Sequence, residues 1–354
     1  MAAVRAALVG CGDVSRRYAA AIAAADGLEL AAVTDLDAER AGALASELGV
    51  AHAPSLEALL ADDGVELVVN LTAPRAHAAV TRAALEAGKH VHTEKPLALG
   101  YEEARELAEL ATARGVRLSA APATLLGEAQ QTAWKLVRDG EIGRVRLAYA
   151  EANWGRIESW HPDPAGLYAV GPLVDVGVYA LTVLTAMLGP ARRVHAYAAT
   201  LQPERTTKHG VTFSPEAPDL TIAVVEHEGG AVSRTTASFY AGTGAHRGIE
   251  LHGDEGRLFL ASWAEADSRL LRSDAAGEYQ PLPLLREPFH GIDWGRPLVD
   301  LGAALEERRP HRAGAEHAAH VVEIVEAAAR SATAAAPVDL RSSFTAPQPM
   351  EWAR

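Results

Sequence analysis

The sequence predicts two domains. An amino-terminal α/β domain on a parallel sheet covers residues 1–122, and a carboxy-terminal α+β domain with a large open antiparallel sheet covers residues 123–354. Three observations carry this reading. Over roughly the first 120 residues, short apolar runs alternate with longer amphipathic ones, the pattern of successive strand–helix–strand units. Beyond Pro122 the period changes to two-residue alternation broken by glycine turns, which belongs to antiparallel strands. A length of 354 residues accommodates two cores at about 100–200 residues per domain.

In the first domain the expected strands are Val4–Val9, Leu28–Thr34, a short one near Val50–Ala53, Val65–Leu71, His90–Thr93 and Leu118–Ala121. Several are apolar on both faces, as strands covered by helices on each side must be. Between them Val14–Ala25, Ala38–Leu48, Ala76–Ala87 and Tyr101–Arg114 are rich in Ala, Leu and Glu and read as helices. Gly27, Gly49, Gly88 and Gly115 follow them in the position of helix stops. A further helix, Thr124–Asp139, opens the second domain. Strands are then expected at Val194–Thr200, Leu220–His227, Ala231–Tyr240, Gly248–Gly253 and Arg257–Ser262, with hairpin turns at Gly229–Gly230 and Asp254–Gly256. Helical patterns return at Pro297–Glu307 and Glu316–Thr333, and the chain after Pro337 reads as a loose tail.

Composition narrows the function. The 33 Lys plus Arg against 46 Asp plus Glu give a formal charge of −13, and no basic patch interrupts it, so nucleic acid is a poor partner. The longest apolar run, Ala180–Leu188, is far short of the about 20 residues a membrane span needs. A single cysteine, Cys11, excludes an internal disulfide framework or a multi-cysteine metal site, and a cytoplasmic location is expected.

Gly10-Cys11-Gly12-Asp13-Val14-Ser15 stands directly after the first strand and opens the first helix. In that context glycines let the backbone approach a pyrophosphate at a helix N-terminus, so Gly10, Gly12, Asp13 and Val14 are candidate nucleotide-binding positions in a Rossmann-type domain. Ser15 occupies the third, helix-packing position, usually glycine. Asp35 ends the second strand, twenty residues beyond Ser15, where a carboxylate accepts hydrogen bonds from an adenosine ribose and repels a 2′-phosphate. NAD is therefore expected in preference to NADP. The alternative is a plain tight turn, with Asp35 capping the helix that begins near Ala38. A methyltransferase would share the glycine loop and the acidic strand end, but not the motifs that follow.

His90-Val91-His92-Thr93-Glu94-Lys95-Pro96 ends the fifth main strand, and ligands of open α/β sheets lie beyond the carboxyl ends of strands. Only four of the 33 basic residues are lysines. Lys95 is thus a chemical choice, because an amine can be tuned for proton exchange whereas a guanidinium cannot. Pro96 restrains it to an extended conformation. The bland alternative is a surface lysine paired with Glu94. In the second domain, Trp160-His161-Pro162-Asp163-Pro164 precedes Gly171-Pro172-Leu173-Val174-Asp175-Val176-Gly177-Val178-Tyr179. If helical, Asp175 and Tyr179 share a face and can address one substrate hydroxyl. Equally, Asp175 can be a helix cap and Tyr179 a core residue with a wetted tip. His317, His320 and Glu323 recur at three-residue spacing, but such spacing is commonplace on solvated helices and no metal is expected.

Taken together, the turn Gly10–Ser15, Asp35, the segment Asn70–His77, the run Gly88–Leu97 containing Glu94-Lys95-Pro96, and Asp175–Tyr179 resemble the Gfo/Idh/MocA oxidoreductases, named for glucose–fructose oxidoreductase and inositol dehydrogenase. The resemblance spans nearly the whole chain. It implies that Thr72, Pro74 and His77 lie along the cofactor, that Glu94 contacts the nicotinamide-ribose region, and that Lys95 is the catalytic lysine, also touching that ribose. In the family the positions of Asp175 and Tyr179 are commonly Asp and His, with Tyr in some branches. It also implies self-association through the open sheet, as a homodimer or homotetramer. The expected activity is an NAD(P)-dependent dehydrogenase transferring a hydride between the nicotinamide cofactor and a sugar, inositol or related polyol. Lys95 is the expected principal acid/base, Tyr179 a proton donor/acceptor or hydroxyl anchor, Asp175 the orienting charge, and Trp160 and His161 further substrate contacts. The competing expectations are internally recycled NAD driving epimerisation or elimination, and a catalytically silent NAD-binding sensor.

Overall fold

The computed structural model describes residues 3–161, 164–242 and 247–354. Its contacts divide the chain into two units. The first comprises the chain up to Ala123 together with Trp294–Val322, and the second Thr124–Asp293 together with Glu323–Arg354. The single boundary expected at residue 122 therefore misses a return of the chain to the first unit.

The first unit holds strands β1 (Val4–Val9), β2 (Leu28–Thr34), β3 (Ala51–His52), β4 (Leu67–Asn70), β5 (His90–Thr93) and β6 (Leu118–Ala120) in the order β3-β2-β1-β4-β5-β6, every neighbouring pair parallel. Helices α1 (Ser15–Ala23), α2 (Ala38–Leu48), α3 (Leu56–Leu60), α4 (His77–Glu86) and α5 (Tyr101–Arg114) connect them. Alternate residues of β1 serve two cores. Ala6 and Leu8 pack with Tyr18, Ile22 and Leu44, whereas Ala7 and Val9 pack with Val68, Val91 and Leu107. Both sheet faces are thus covered, which is why the strands read as nearly continuous apolar runs.

The second unit opens with α6 (Glu128–Arg138) and is built on β7 (Val145–Asn153), which the sequence pattern does not reveal. Next come the short α7 (Ala165–Val170), a π-helical turn at Leu173–Gly177, α8 (Val178–Leu188), β8 (Ala191–Ala199), a small pair β9 (Arg205–Thr206) and β10 (Thr212–Phe213), β11 (Leu220–His227), β12 (Val232–Ser238), β13 (Gly248–Gly253), β14 (Gly256–Leu260), β15 (Leu270–Asp274) and β16 (Gln280–Leu282). Helix α9 (Arg296–Glu307) lies in the first unit. Helix α10 (Ala315–Ala334) begins there and ends in the second, followed by β17 (Val338–Asp339). The large sheet runs β16-β15-β14-β13-β7-β12-β11-β8-β17. It is antiparallel apart from β12 and β7, which pair in parallel, so the sheet is mixed. Ala148, Ala150 and Ala152 of β7 are fully buried, and every residue from Val178 to Met187 of α8 is buried, which makes α8 a core helix.

The tail after Pro337 is not loose. Leu340 N–H donates to the Arg192 carbonyl, the N–H groups of Arg341 and Ser342 donate to the Glu323 carboxylate, and Met350 N–H donates to Gln131 Oε1. Long-range side chains fix it, and these leave no periodic trace in the tail itself. No helix among the described residues is long and apolar enough to cross a membrane.

Candidate active site

Gly10 adopts φ +102°, and a Cβ there would lie 2.7 Å from the Leu71 carbonyl carbon and oxygen, so the fold itself demands glycine. Gly12 is different. Its φ is not positive and a Cβ would meet nothing within 4 Å, so packing gives no reason for glycine at that position. Close approach by a ligand does. Immediately beyond, α1 starts with no side-chain cap and no acidic residue in its first turn, leaving its positive end available to an anion. Ser15 is fully buried with its hydroxyl donating to the Gly12 carbonyl, 2.6 Å, so it fits the helix-packing position by bonding back to the turn. Asp13 is exposed and Val14 half-buried, so a ligand on the turn meets their backbone first.

Asp35 supports this turn from β2. Its Oδ2 accepts from Cys11 N–H, 2.7 Å, and its Oδ1 from Asp37 N–H, 2.9 Å. Asp37, not Asp35, caps α2 by accepting from Arg40 N–H, 3.1 Å. The Arg40 guanidinium lies 3.8 Å from Asp35 and 3.3 Å from Asp37. Burial, then the Asp35 charge, push the Cys11 thiol up to about 11, so it is a neutral packing group at physiological pH. The turn, the uncapped helix end and Asp35 fit a dinucleotide.

The loops after β4 and β5 are held by buried polar side chains. Asn70 donates to the His77 carbonyl and Thr81 Oγ1, while its Oδ1 accepts from Thr72 N–H and Thr72 Oγ1. His77 is 1% exposed, with Nδ1 2.8 Å from the Pro96 carbonyl oxygen and Nε2 2.8 Å from that of Thr72. It therefore ties the Thr72 loop to the Lys95–Pro96 loop. Pro74 is half-buried in a single turn of helix before α4. Glu94 is buried, accepting from Tyr18 Oη at 2.7 Å and from Lys95 N–H at 3.0 Å. Lys95 follows β5 with its side chain half-buried. Tyr18 and His92, 3.3 Å apart, stand behind Glu94 and were not among the expected site residues. The signal for His92 is a polar residue at an inward position of a buried strand, and for Tyr18 a phenol on the buried face of α1.

In the second unit Asp175 lies within the π-helical turn and Tyr179 in the first turn of α8, with 8% and 7% exposure. The N-cap position of α8 is Gly177 and that of the π-helical turn is Pro172, so Asp175 stands at neither cap position. Single π turns recur where a helix is adjusted for function. Gly177 is tightly packed within it, since a Cβ there would lie 2.7 Å from Leu173 Cδ1 and 3.3 Å from Ala237 Cβ. The Tyr179 ring packs 5.1 Å from Trp263, Trp263 is 5.9 Å from Trp154, Trp154 is 6.4 Å from Trp160, and Trp160 is 5.5 Å from His161. This row joins two segments that the sequence presents separately. Trp160 is 49% exposed at its end. Pro162 and Asp163 lie outside the described residues.

Behind Trp160 the chain is fixed by buried charge. Arg205 is paired with Glu158 at 2.8 Å and Asp219 at 2.6 Å, and Tyr168 donates to Glu158. Burial and the Glu158 hydrogen bond push the Tyr168 phenol strongly upward, so it stays protonated. Of the possible metal trio, Glu323 binds the Arg341–Ser342 backbone, and burial lowers His317 to about 3.

Residues 4–121 match the model of an oxidoreductase family with an NAD-binding Rossmann fold, and residues 130–259 match the GFO/IDH/MocA C-terminal domain. A dTDP-3,4-didehydro-2,6-dideoxy-alpha-D-glucose 3-reductase of Streptomyces antibioticus is 32% identical over 226 residues, 59% of this chain and 67% of that protein. A 1,5-anhydro-D-fructose reductase of Ensifer adhaerens is 29% identical over 260 residues, 71% of this chain and 74% of that one. The structure of a levoglucosan dehydrogenase in complex with NADH and L-sorbose shares the fold, with TM-score 0.82 at 20% identity over 96% of this chain and 98% of that one. With both of its domains matched, the chain belongs to the Gfo/Idh/MocA family of NAD(P)-dependent sugar and polyol oxidoreductases.

Proposed function

We propose that this enzyme is an NAD-dependent dehydrogenase acting on a hydroxyl-bearing carbon of a sugar, inositol or related polyol. The observation that carries the reading is Gly12, whose glycine identity the fold leaves unexplained and a dinucleotide at the α1 terminus explains. Gly10, Gly12, Asp13 and Val14 would receive the pyrophosphate, Asp35 the adenosine ribose, and Thr72, Pro74 and Glu94 the nicotinamide half, with His77 holding the two loops. The bound dinucleotide supplies hydride acceptance from, or donation to, the substrate carbon.

The chain's own task is the proton. As a carbinol carbon is oxidised its hydroxyl loses a proton, and the Lys95 amine receives it. Tyr179 is a proton donor/acceptor or an anchor for the substrate hydroxyl, and Asp175 is the orienting charge beside it in sequence. Trp160 offers an exposed ring face to the C–H side of a sugar, beside His161. The substrates named for the relatives from S. antibioticus and E. adhaerens support a sugar ring over a simple alcohol. NAD is preferred because a 2′-phosphate would meet Asp35 and Asp37, and the guanidinium of Arg40 beside them is already shared by both carboxylates. Tyr197 and Val224, exposed on the open face of the large sheet, support self-association through that face.

The test is Lys95→Met. Turnover across a polyol and sugar panel, followed by NADH absorbance, should fall about 10²–10⁴-fold while NAD still binds. Unchanged turnover overturns the assignment.

A further inference from the structure

We infer that Tyr18 is a positioning residue for the Lys95 loop, acting through Glu94 at the end of a one-way hydrogen-bond chain that fixes His92 as its Nε2–H tautomer. The inference rests on the reading of Lys95 as proton acceptor. Tyr18, His92, Ser119 and Glu94 are all buried. Ser119 Oγ is 2.9 Å from His92 Nδ1, His92 Nε2 is 3.3 Å from Tyr18 Oη, Tyr18 Oη is 2.7 Å from Glu94 Oε1, and Glu94 Oε2 is 3.0 Å from Lys95 N.

The proton positions follow from one end. A carboxylate only accepts, so both Tyr18 O–H and Lys95 N–H donate to Glu94. With its proton committed, the Tyr18 oxygen can only accept from His92, which places a hydrogen on Nε2. Burial lowers His92 to about 3, so the ring is neutral and its Nδ1 is bare, accepting from the Ser119 hydroxyl. Every link points toward Glu94.

The geometry gives this chain a purpose. Tyr18 lies on α1, the helix that begins at the glycine turn, and its ring packs 6.1 Å from Trp294. Glu94, held by donors on both oxygens, fixes the backbone N–H of Lys95 and hence the point from which its side chain leaves. One helix thereby positions the nucleotide turn and the lysine loop together.

The chain makes a spectroscopic prediction. In Glu94→Gln the new amide N–H₂ donates to Tyr18, the Tyr18 proton turns to His92 Nε2, and the ring hydrogen moves to Nδ1, which donates to Ser119. Histidine-labelled ¹⁵N protein, with the His92 signals assigned from their loss in His92→Gln, should show Nε2–H in the wild type and Nδ1–H in Glu94→Gln. Tyr18→Phe removes one oxygen, leaves the ring packing, and should let the Nδ1–H form appear. Its kcat should fall about tenfold or more with NAD affinity within about twofold, since small misplacements cost rate before binding. A wild-type Nδ1–H ring, or Glu94→Gln and Tyr18→Phe both leaving the tautomer unchanged, overturns the inference. Retained turnover in Lys95→Met would instead overturn the catalytic assignment and leave the tautomer result standing.

Discussion

The glycine turn of the first unit and the Asp175 turn of the second are both departures from regular backbone next to candidate site residues, yet they are built differently. At Gly10–Val14 one short segment carries its own explanation, in a strand end, a positive φ and an uncapped helix. Around Asp175 nothing local suffices. Gly177 of the π turn packs close to Ala237 of β12, Tyr179 packs against Trp263, and the segment before Trp160 is held by a charge cluster drawn from residues 158–219. A site written in one segment can be recognised by motif, whereas a site assembled from many segments depends on distant packing.

That contrast can be broken experimentally, and the largest effect should come from the assembled site. Arg205→Met leaves Glu158 and Asp219 buried without their cation, and breaking a buried pair costs about 3–5 kcal/mol. Denaturant unfolding should show that loss; a change within about 0.5 kcal/mol would mean that the cluster braces nothing.

The turn itself comes next. Gly10→Ala should cost about 1–3 kcal/mol from the strained φ alone, with the Leu71 clash added. Gly12→Ala should leave stability within about 0.5 kcal/mol, as at an exposed open position, yet weaken NAD binding about tenfold, or 1.4 kcal/mol. Calorimetry on both variants decides this, and equal effects on folding and binding would erase the distinction between the two glycines.

A pH series probes the interior of the first unit. His92 has a folded pKa of about 3 against an ordinary 6.5, so between these values the unfolded chain binds the extra proton and stability falls as pH falls. The slope should be up to about 1.4 kcal/mol per pH unit for this one group. Removing His92 by substitution with Gln should flatten the curve between about pH 6 and pH 4; parallel curves would mean that the buried ring is not the cause. The smallest effect should be Trp160→Ala, which loses one exposed ring face worth about 0.5–1.5 kcal/mol. It should raise KM for the sugar a few-fold and leave kcat unchanged, and a drop in kcat instead would place Trp160 nearer the chemistry than a stacking surface.

Legibility followed the same division. The strands and helices of the first unit could be read because their apolar periodicity is local, and Gly10, Gly12, Asp35, Glu94 and Lys95 sit where strand ends and the glycine turn put them. Strand β7 could not, although it is central to its sheet. Its buried face is Ala148, Ala150 and Ala152, and alanine favours helices and is depleted in strands, so the alternation lacked the usual side chains. Tyr18 stayed hidden because it meets Glu94 across 76 residues, and Trp263 because it reaches Tyr179 from the far side of the sheet sequence.

By itself, then, the sequence determined the parallel α/β unit, the glycine turn and the lysine at the end of β5, since each rests on backbone geometry that neighbouring residues impose. Tertiary structure alone decided that Trp294–Val322 returns to the first unit, that the tail is pinned, and that the rings of Tyr179, Trp263, Trp154 and Trp160 form one row. Those outcomes come from contacts between residues far apart in the chain, where the energy lies in shape and charge complementarity and leaves no periodic mark in either partner.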